Sequence, residues 1–116
     1  MTARRSGSTH AAGGTAALAA VALGLAGACA APPPRAHTVE IRGFTYLPAR
    51  LEVGAGDTVV WVNRDVVPHT VTRDGGRWDS GSVEGERAWR LIVTPQGSQS
   101  YYCAFHPTMR GVLVVR

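Results

Sequence analysis

Cys103, His106 and Met109 occupy one short stretch, Tyr101-Tyr102-Cys103-Ala104-Phe105-His106-Pro107-Thr108-Met109, and His69 stands apart in Pro68-His69-Thr70-Val71. Together they offer one thiolate, two imidazoles and one thioether. Thiolate and thioether donors select copper(I) over hard ions such as calcium or magnesium, and imidazole suits several transition metals, copper among them. Two histidines and a cysteine in a near-trigonal plane, with a long axial methionine, form the donor set of electron-transfer copper sites. Such a set accepts copper(I) and copper(II) with little rearrangement, so a single electron passes quickly.

Each residue taken singly has a plainer reading. His69 alone is a core-edge or surface histidine, Met109 alone is packing, and Cys103 with His106 is half of a zinc site. No second Cys-x-x-Cys or Cys-x-x-His pair completes a zinc site, and the four donors together point to copper.

The elements that must position these residues read as strands. Runs rich in valine, isoleucine, threonine and aromatics recur at Thr38–Arg42, Arg50–Val53, Thr58–Asn63, His69–Thr72, Ala88–Thr94, Ser98–Cys103 and Val112–Val115. Turn signals separate them at Gly54–Asp57, Asp74–Gly76, Gly81–Gly85 and Pro95–Gly97. Short strands at this spacing predict an all-β sandwich or barrel. Val39 and Ile41 alternate with Glu40 and Arg42, as in a half-buried strand, whereas Thr58–Val62 is apolar on both faces and reads as central. The strand ending at Cys103 carries its sulfur to the sheet end, and Pro107 and Gly111 turn the chain back into the Val112 strand. A tight loop then aims residues three and six positions on at one point, and His69 closes the site from across the sandwich.

The 116 residues allow one domain plus a targeting segment. Arg4 and Arg5 precede an uncharged Ala/Leu/Val/Gly run, Ala16–Ala28, which is shorter than the roughly 20 apolar residues of a membrane span. Residues 1–30 therefore read as a signal peptide, with export by the general or the twin-arginine route, and residues 31–37 as a stiff Pro-rich spacer ahead of a domain over 38–116. Small-x-small cleavage fits Ala28-Cys29-Ala30 or Ala26-Gly27-Ala28, while Leu25-Ala26-Gly27-Ala28-Cys29 resembles a lipobox that would anchor a lipid on Cys29. Both soluble secretion and lipid anchoring stay open. A Cys29–Cys103 disulfide is the competing use of the thiols in an oxidising compartment. Lipidation or cleavage removes that partner, and a bound metal is then the reason to keep a lone thiol.

All twelve basic residues are arginine, against eight acids. No basic stripe or aromatic-basic interleaving points to nucleic acid. His10 lies in the signal, and His37 reads as a solvated residue at the domain start. No Ser/His/Asp set suggests hydrolysis, so the chain does not read as an enzyme.

The segments Gly56-Asp57-Thr58-Val59-Val60-Trp61-Val62-Asn63, Pro68-His69-Thr70-Val71, Trp78-Asp79-Ser80-Gly81 and Tyr101-Tyr102-Cys103, with the Cys103-x-x-His106-x-x-Met109 loop, carry a resemblance. The chain from Val39 to its end is similar to the cupredoxins, most nearly the amicyanin branch, with plastocyanin and pseudoazurin more distant. That resemblance implies a Greek-key β-sandwich of seven to eight strands with one type 1 copper at a pole. It implies His69 and His106 as nitrogen ligands, Cys103 as the thiolate and Met109 as the axial thioether. Thr70 stands where amicyanin and plastocyanin carry the asparagine that ties the two ligand loops together. Thr70, Asn63, Tyr102, Phe105 and Pro107 are expected to support the ligands or the electron path, with Tyr102 turned outward beside Cys103.

The loop histidine His106 is the expected electron port, within an apolar patch from Phe105, Pro107, Met109, Val66, Val67 and Pro68 and rimmed by Arg64 and Arg110. The implied function is a monomeric, exported carrier, periplasmic or at the cell surface. It would pass single electrons between a donor and an acceptor redox protein that dock briefly near His106. The alternative is a copper chaperone or copper buffer.

Overall fold

The computed structural model describes residues 2–3, 6–21, 24, 32–95 and 97–116. The chain divides into two compact units, 1–30 and 31–116. In the first, the described residues form no helix or strand, and Cys29, with the cleavage and lipid-anchor readings that depend on it, lies outside the described residues. No helix among the described residues is long and apolar enough to cross a membrane.

The second unit is an all-β sandwich of eight strands: β1 (Ala36–Ile41), β2 (Tyr46–Leu47), β3 (Arg50–Val53), β4 (Thr58–Asn63), β5 (Thr72–Arg73), β6 (Ala88–Ile92), β7 (Gln99–Tyr102) and β8 (Arg110–Val115). One sheet has the order β2-β1-β4-β6 and the other β3-β8-β7-β5. The pairs β1·β4 and β3·β8 are parallel, so the chain crosses between sheets to make them. Alternation sets the core as expected: Val39, Ile41, Val59 and Trp61 are buried from the first sheet, and Tyr101 and Leu113 from the second. Trp61 lies at the middle of this layer, 5.4 Å from the Tyr101 ring and 5.5 Å from Trp89. Burial of each such side chain contributes roughly 1.5–3 kcal/mol. Central placement of Thr58–Val62 also holds, because β4 runs between β1 and β6.

Several boundaries differ from the sequence reading. Strand β2 is two residues between Gly43 and Pro48, too short to show a period. The strand expected over His69–Thr72 is reduced to a bridge between His69 and Val83, followed by β5. Backbone groups there serve side chains instead of a ladder: Val71 N–H donates to Ser80 Oγ at 2.7 Å, and the Thr70 carbonyl accepts from Tyr46 Oη at 2.6 Å. The Ala88–Thr94 run leaves its sheet after Ile92, because the backbone of Val93 bonds the 54–57 turn through Asp57 O and Gly56 N. Gly111 is not a turn residue. It pairs with Tyr101 inside the β7·β8 ladder, and a Cβ there would overlap the Tyr101 ring.

At the start of β1 two expectations change. The strand begins at Ala36, so the last two residues of the expected spacer belong to the sheet. His37 is not a solvated residue: its Nε2 lies 2.8 Å from Asp57 Oδ2. The same carboxylate accepts from Arg35 N–H at 2.9 Å and Gly54 N–H at 2.8 Å. The Arg35 amide, the His37 imidazole and the Gly54 amide hold the Asp57 carboxyl down at about 2. From this end β1 and β4 run side by side, about 20 Å for six residues, to the end that carries the soft donors.

Candidate metal centre

The far ends of β4 and β7 deliver the donors through two loops. Asn63, the last residue of β4, is fully buried, and its side-chain amide donates to the carbonyls of Val67 and Val83 at 2.8 and 2.9 Å. Its Oδ1 accepts from Asp65 N–H at 2.9 Å. Asn63 thereby shapes the loop that brings His69 inward, where the imidazole is fully buried. The second loop folds on its own backbone: His106 N–H donates to Cys103 O at 3.2 Å, and Met109 N–H donates to His106 O at 2.9 Å. This tight turn places Cys103 and Met109 in the buried core and leaves His106 half-buried at the rim.

His69 Nδ1 and His106 Nδ1 each lie 3.7 Å from Cys103 Sγ. The donor atoms of the three residues fall within 4.8 Å of one another. At ordinary metal–nitrogen and metal–sulfur bond lengths of about 2.0–2.3 Å, a trigonal trio stands roughly 3.5–4 Å apart. The spacing therefore fits one ion bound by all three atoms. Cys103 is a free cysteine, and Thr70 N–H donates to its sulfur at 3.3 Å.

Thr70 also links the two loops. Its hydroxyl oxygen accepts from Ala104 N–H at 2.7 Å and lies 2.8 Å from Thr72 Oγ1. Tyr46 adds a buried brace through its bond to the Thr70 carbonyl, and burial, then the nearby Cys103 and Tyr101, push its phenol well above the ordinary range. Tyr102 is half-buried on the outer face, with the Arg110 guanidinium 5.6 Å from its ring centre. Phe105 and Pro107 are exposed beside His106.

Two residues beside the donors escaped the sequence reading. Asp65 Oδ2 lies 2.8 Å from His69 Nε2. Burial pushes the Asp65 carboxyl up, but the Phe44 and Gly43 amides and the His69 imidazole outweigh it and hold the group below its ordinary value. With Nε2 held against this carboxylate, Nδ1 is turned to the sulfur at 3.7 Å. Phe44 packs edge-on against both rings, with centroids 5.2 Å from His69 and 4.9 Å from His106. The i,i+4 spacing of Asp65 and His69 was the available signal for the first. Nothing in the local sequence marks Phe44, which reaches the site only because β1 pairs with β4.

The surrounding patch is apolar. Val66 is 97% and Phe105 52% exposed, and Phe44 and Val67 extend the same character. Met109 was expected in this patch but is buried, because the turn from His106 points it into the core. Arg64 is engaged by Glu86 at 2.8 Å, and Arg110 by Asp74 at 3.2 Å.

A profile described as copper binding proteins, plastocyanin/azurin family, matches residues 35–116. The chain belongs to that family. Among the relatives of this cupredoxin, the amicyanin of Paracoccus versutus is 36% identical over 76% of the chain and 70% of that relative. The amicyanin of Paracoccus denitrificans is 38% identical over 69% of the chain, which spans 65% of that relative's length. A solved amicyanin variant in its oxidised state superposes with a TM-score of 0.65 at 34% identity, covering 70% of this chain and 82% of that one. The cupredoxin's cofactor is a single type 1 copper ion, and the cluster of His69, Cys103, His106 and Met109 is positioned for it.

Proposed function

We propose that the protein is an exported electron carrier that takes one electron from a donor redox protein and delivers it to an acceptor, both docking briefly over His106. His69 Nδ1, His106 Nδ1, the Cys103 sulfur and the Met109 thioether would hold the ion. When bound, copper supplies a reversible one-electron couple. The protein supplies a donor set that hardly moves between the two states, since the ligands are held by Asn63, Thr70 and their own turn.

The observation that carries this reading is the pair of 3.7 Å contacts from Cys103 Sγ to the two imidazole nitrogens. Burial of His69, Cys103 and Met109 favours a resident ion over the chaperone or buffer, which needs exposed, exchangeable ligands. The exposed patch of Val66, Phe105 and Phe44 around a half-buried His106 suits a small, transient interface of the redox type. Export rests on the Arg4-Arg5 and Ala16–Ala28 segments, and the open choice between soluble and lipid-anchored forms is decided by mass spectrometry of the mature N-terminus.

Loading the purified protein with copper(II) tests the core of the proposal. The expected result is an intense thiolate-to-copper band in the visible spectrum with reversible one-electron cycling. Without the band, or with rapid copper transfer to a competing apo-protein, the carrier reading is lost.

A further inference from the structure

Asp65 lies at a junction that ligand binding alone does not require. Its Oδ1 accepts from Gly43 N–H at 2.7 Å, and its Oδ2 from Phe44 N–H at 2.9 Å while facing His69 Nε2 at 2.8 Å. Gly43 and Phe44 both have left-handed backbones, with φ of 61° and 58°. Two successive amides in such a turn form a concave anion-binding nest, here filled by the carboxylate. Glycine adopts this conformation freely, but a bulky residue does so at a cost and persists only where its surroundings fix it. The Phe44 ring stands edge-on to both His69 and His106, although it remains 49% exposed.

We propose that Asp65 is a positioning residue that locks Phe44 as a lid over the copper centre, its carboxylate fixing the Gly43–Phe44 turn and the His69 imidazole as one unit. The lid keeps water and competing ligands from the histidine face while leaving the outer edge of the phenyl ring and His106 for a partner. The carboxylate reads both sides: a shift of the His69 ring changes its hold on the turn, and loosening of the turn frees the imidazole. This inference rests on the ligand set proposed above, so its test includes a readout taken without copper.

Asp65→Asn keeps the shape but removes the charge and leaves one acceptor oxygen for three donors. In the apo-protein, hydrogen exchange at the Gly43 and Phe44 amides is expected to accelerate about tenfold or more, since bonds to a charged acceptor are the stronger kind, while amides in β7 and β8 keep their rates. In the copper(I) form, competition with a soluble chelator is expected to show about 10- to 100-fold weaker retention. Phe44→Leu leaves the turn amides protected but also weakens retention. The double variant falls short of the product of the two single effects, because loss of the carboxylate has already released the ring. Unchanged Gly43 and Phe44 exchange in Asp65→Asn overturns the proposal, as does uniform acceleration at all amides or a double-variant loss equal to that product. Failure of the wild-type protein to give the thiolate-to-copper band would instead strike the ligand reading, and the apo-protein exchange would still decide the clamp.

Discussion

The sandwich carries a histidine–aspartate pair at each end, His37–Asp57 where β1 and β4 begin and His69–Asp65 just beyond where they finish, both at 2.8 Å. In each, the carboxylate also takes two backbone amides: Arg35 and Gly54 at one end, Gly43 and Phe44 at the other. Locally the two are the same device, a carboxylate acceptor that pins one stretch of chain to another. They differ in what the second imidazole nitrogen faces. At His69 it faces the Cys103 sulfur at 3.7 Å, whereas the donor cluster does not include His37. A histidine held by a carboxylate is thus a structural clasp at one end, and at the other it is also set across from a soft donor.

Removing that soft donor breaks the contrast most completely. Cys103→Ser is expected to abolish the visible charge-transfer band, read by absorption after copper loading, while His37→Ala leaves the band intact. Thr70→Val comes next. It removes the acceptor for Ala104 N–H at 2.7 Å and is expected to cost about 1–3 kcal/mol by chemical denaturation, with a shifted reduction potential because the Cys103 loop loses its tie. Restoring the tie as Thr70→Asn should recover most of that loss.

At the opposite end the expected effect falls on stability alone. Asp57 titrates at about 2 in the fold against an ordinary 3.8, so its bonds stabilise the native state above 3.8 and this contribution is lost as pH falls through about 2. Asp57→Asn should therefore lower the melting temperature near neutrality, and the gap from wild type should close between those two pH values. Its copper spectrum should not change, and a changed spectrum would mean that the two ends communicate through β1 and β4. The smallest effect is expected from Arg64→Ala. Its exposed pair with Glu86 at 2.8 Å is worth about 1 kcal/mol or less, and both stability and spectrum should stay close to wild type.

The legibility of this protein varied with the range of the interaction. Alternation in Val39–Ile41 and the apolar run of Thr58–Val62 foretold β1 and β4, since side-chain direction along a strand depends only on neighbours in sequence. The seven expected runs all fall on or beside observed strands, yet β2 was missed and His69–Thr72 was overcalled. Strand β2 is too short to show a period, and at His69–Thr72 the ladder gives way to distant side chains, Tyr46 reaching Thr70 and Ser80 reaching Val71, which no local period records. Gly111 looked like a turn signal because glycine often marks one, but here it admits the Tyr101 ring from the next strand.

The donor types and the 103–109 spacing were in the sequence because copper's preference for sulfur and imidazole is a property of the atoms themselves. So was the membership of this chain in a fold of short alternating strands. Only the tertiary structure decided that the Nδ1 atoms of His69 and His106 come to 3.7 Å from Cys103 Sγ, that Thr70 takes up the link between the loops, and that Asp65 and Phe44 lie against His69 while His37 and Asp57 pair at the other end of β1 and β4. Those outcomes depend on the parallel pairing of β1 with β4 and on the meeting of loops more than thirty residues apart, as in Thr70 N–H to Cys103 Sγ. A sequence lists such groups, but their distances are set by how the two sheets close on a shared core.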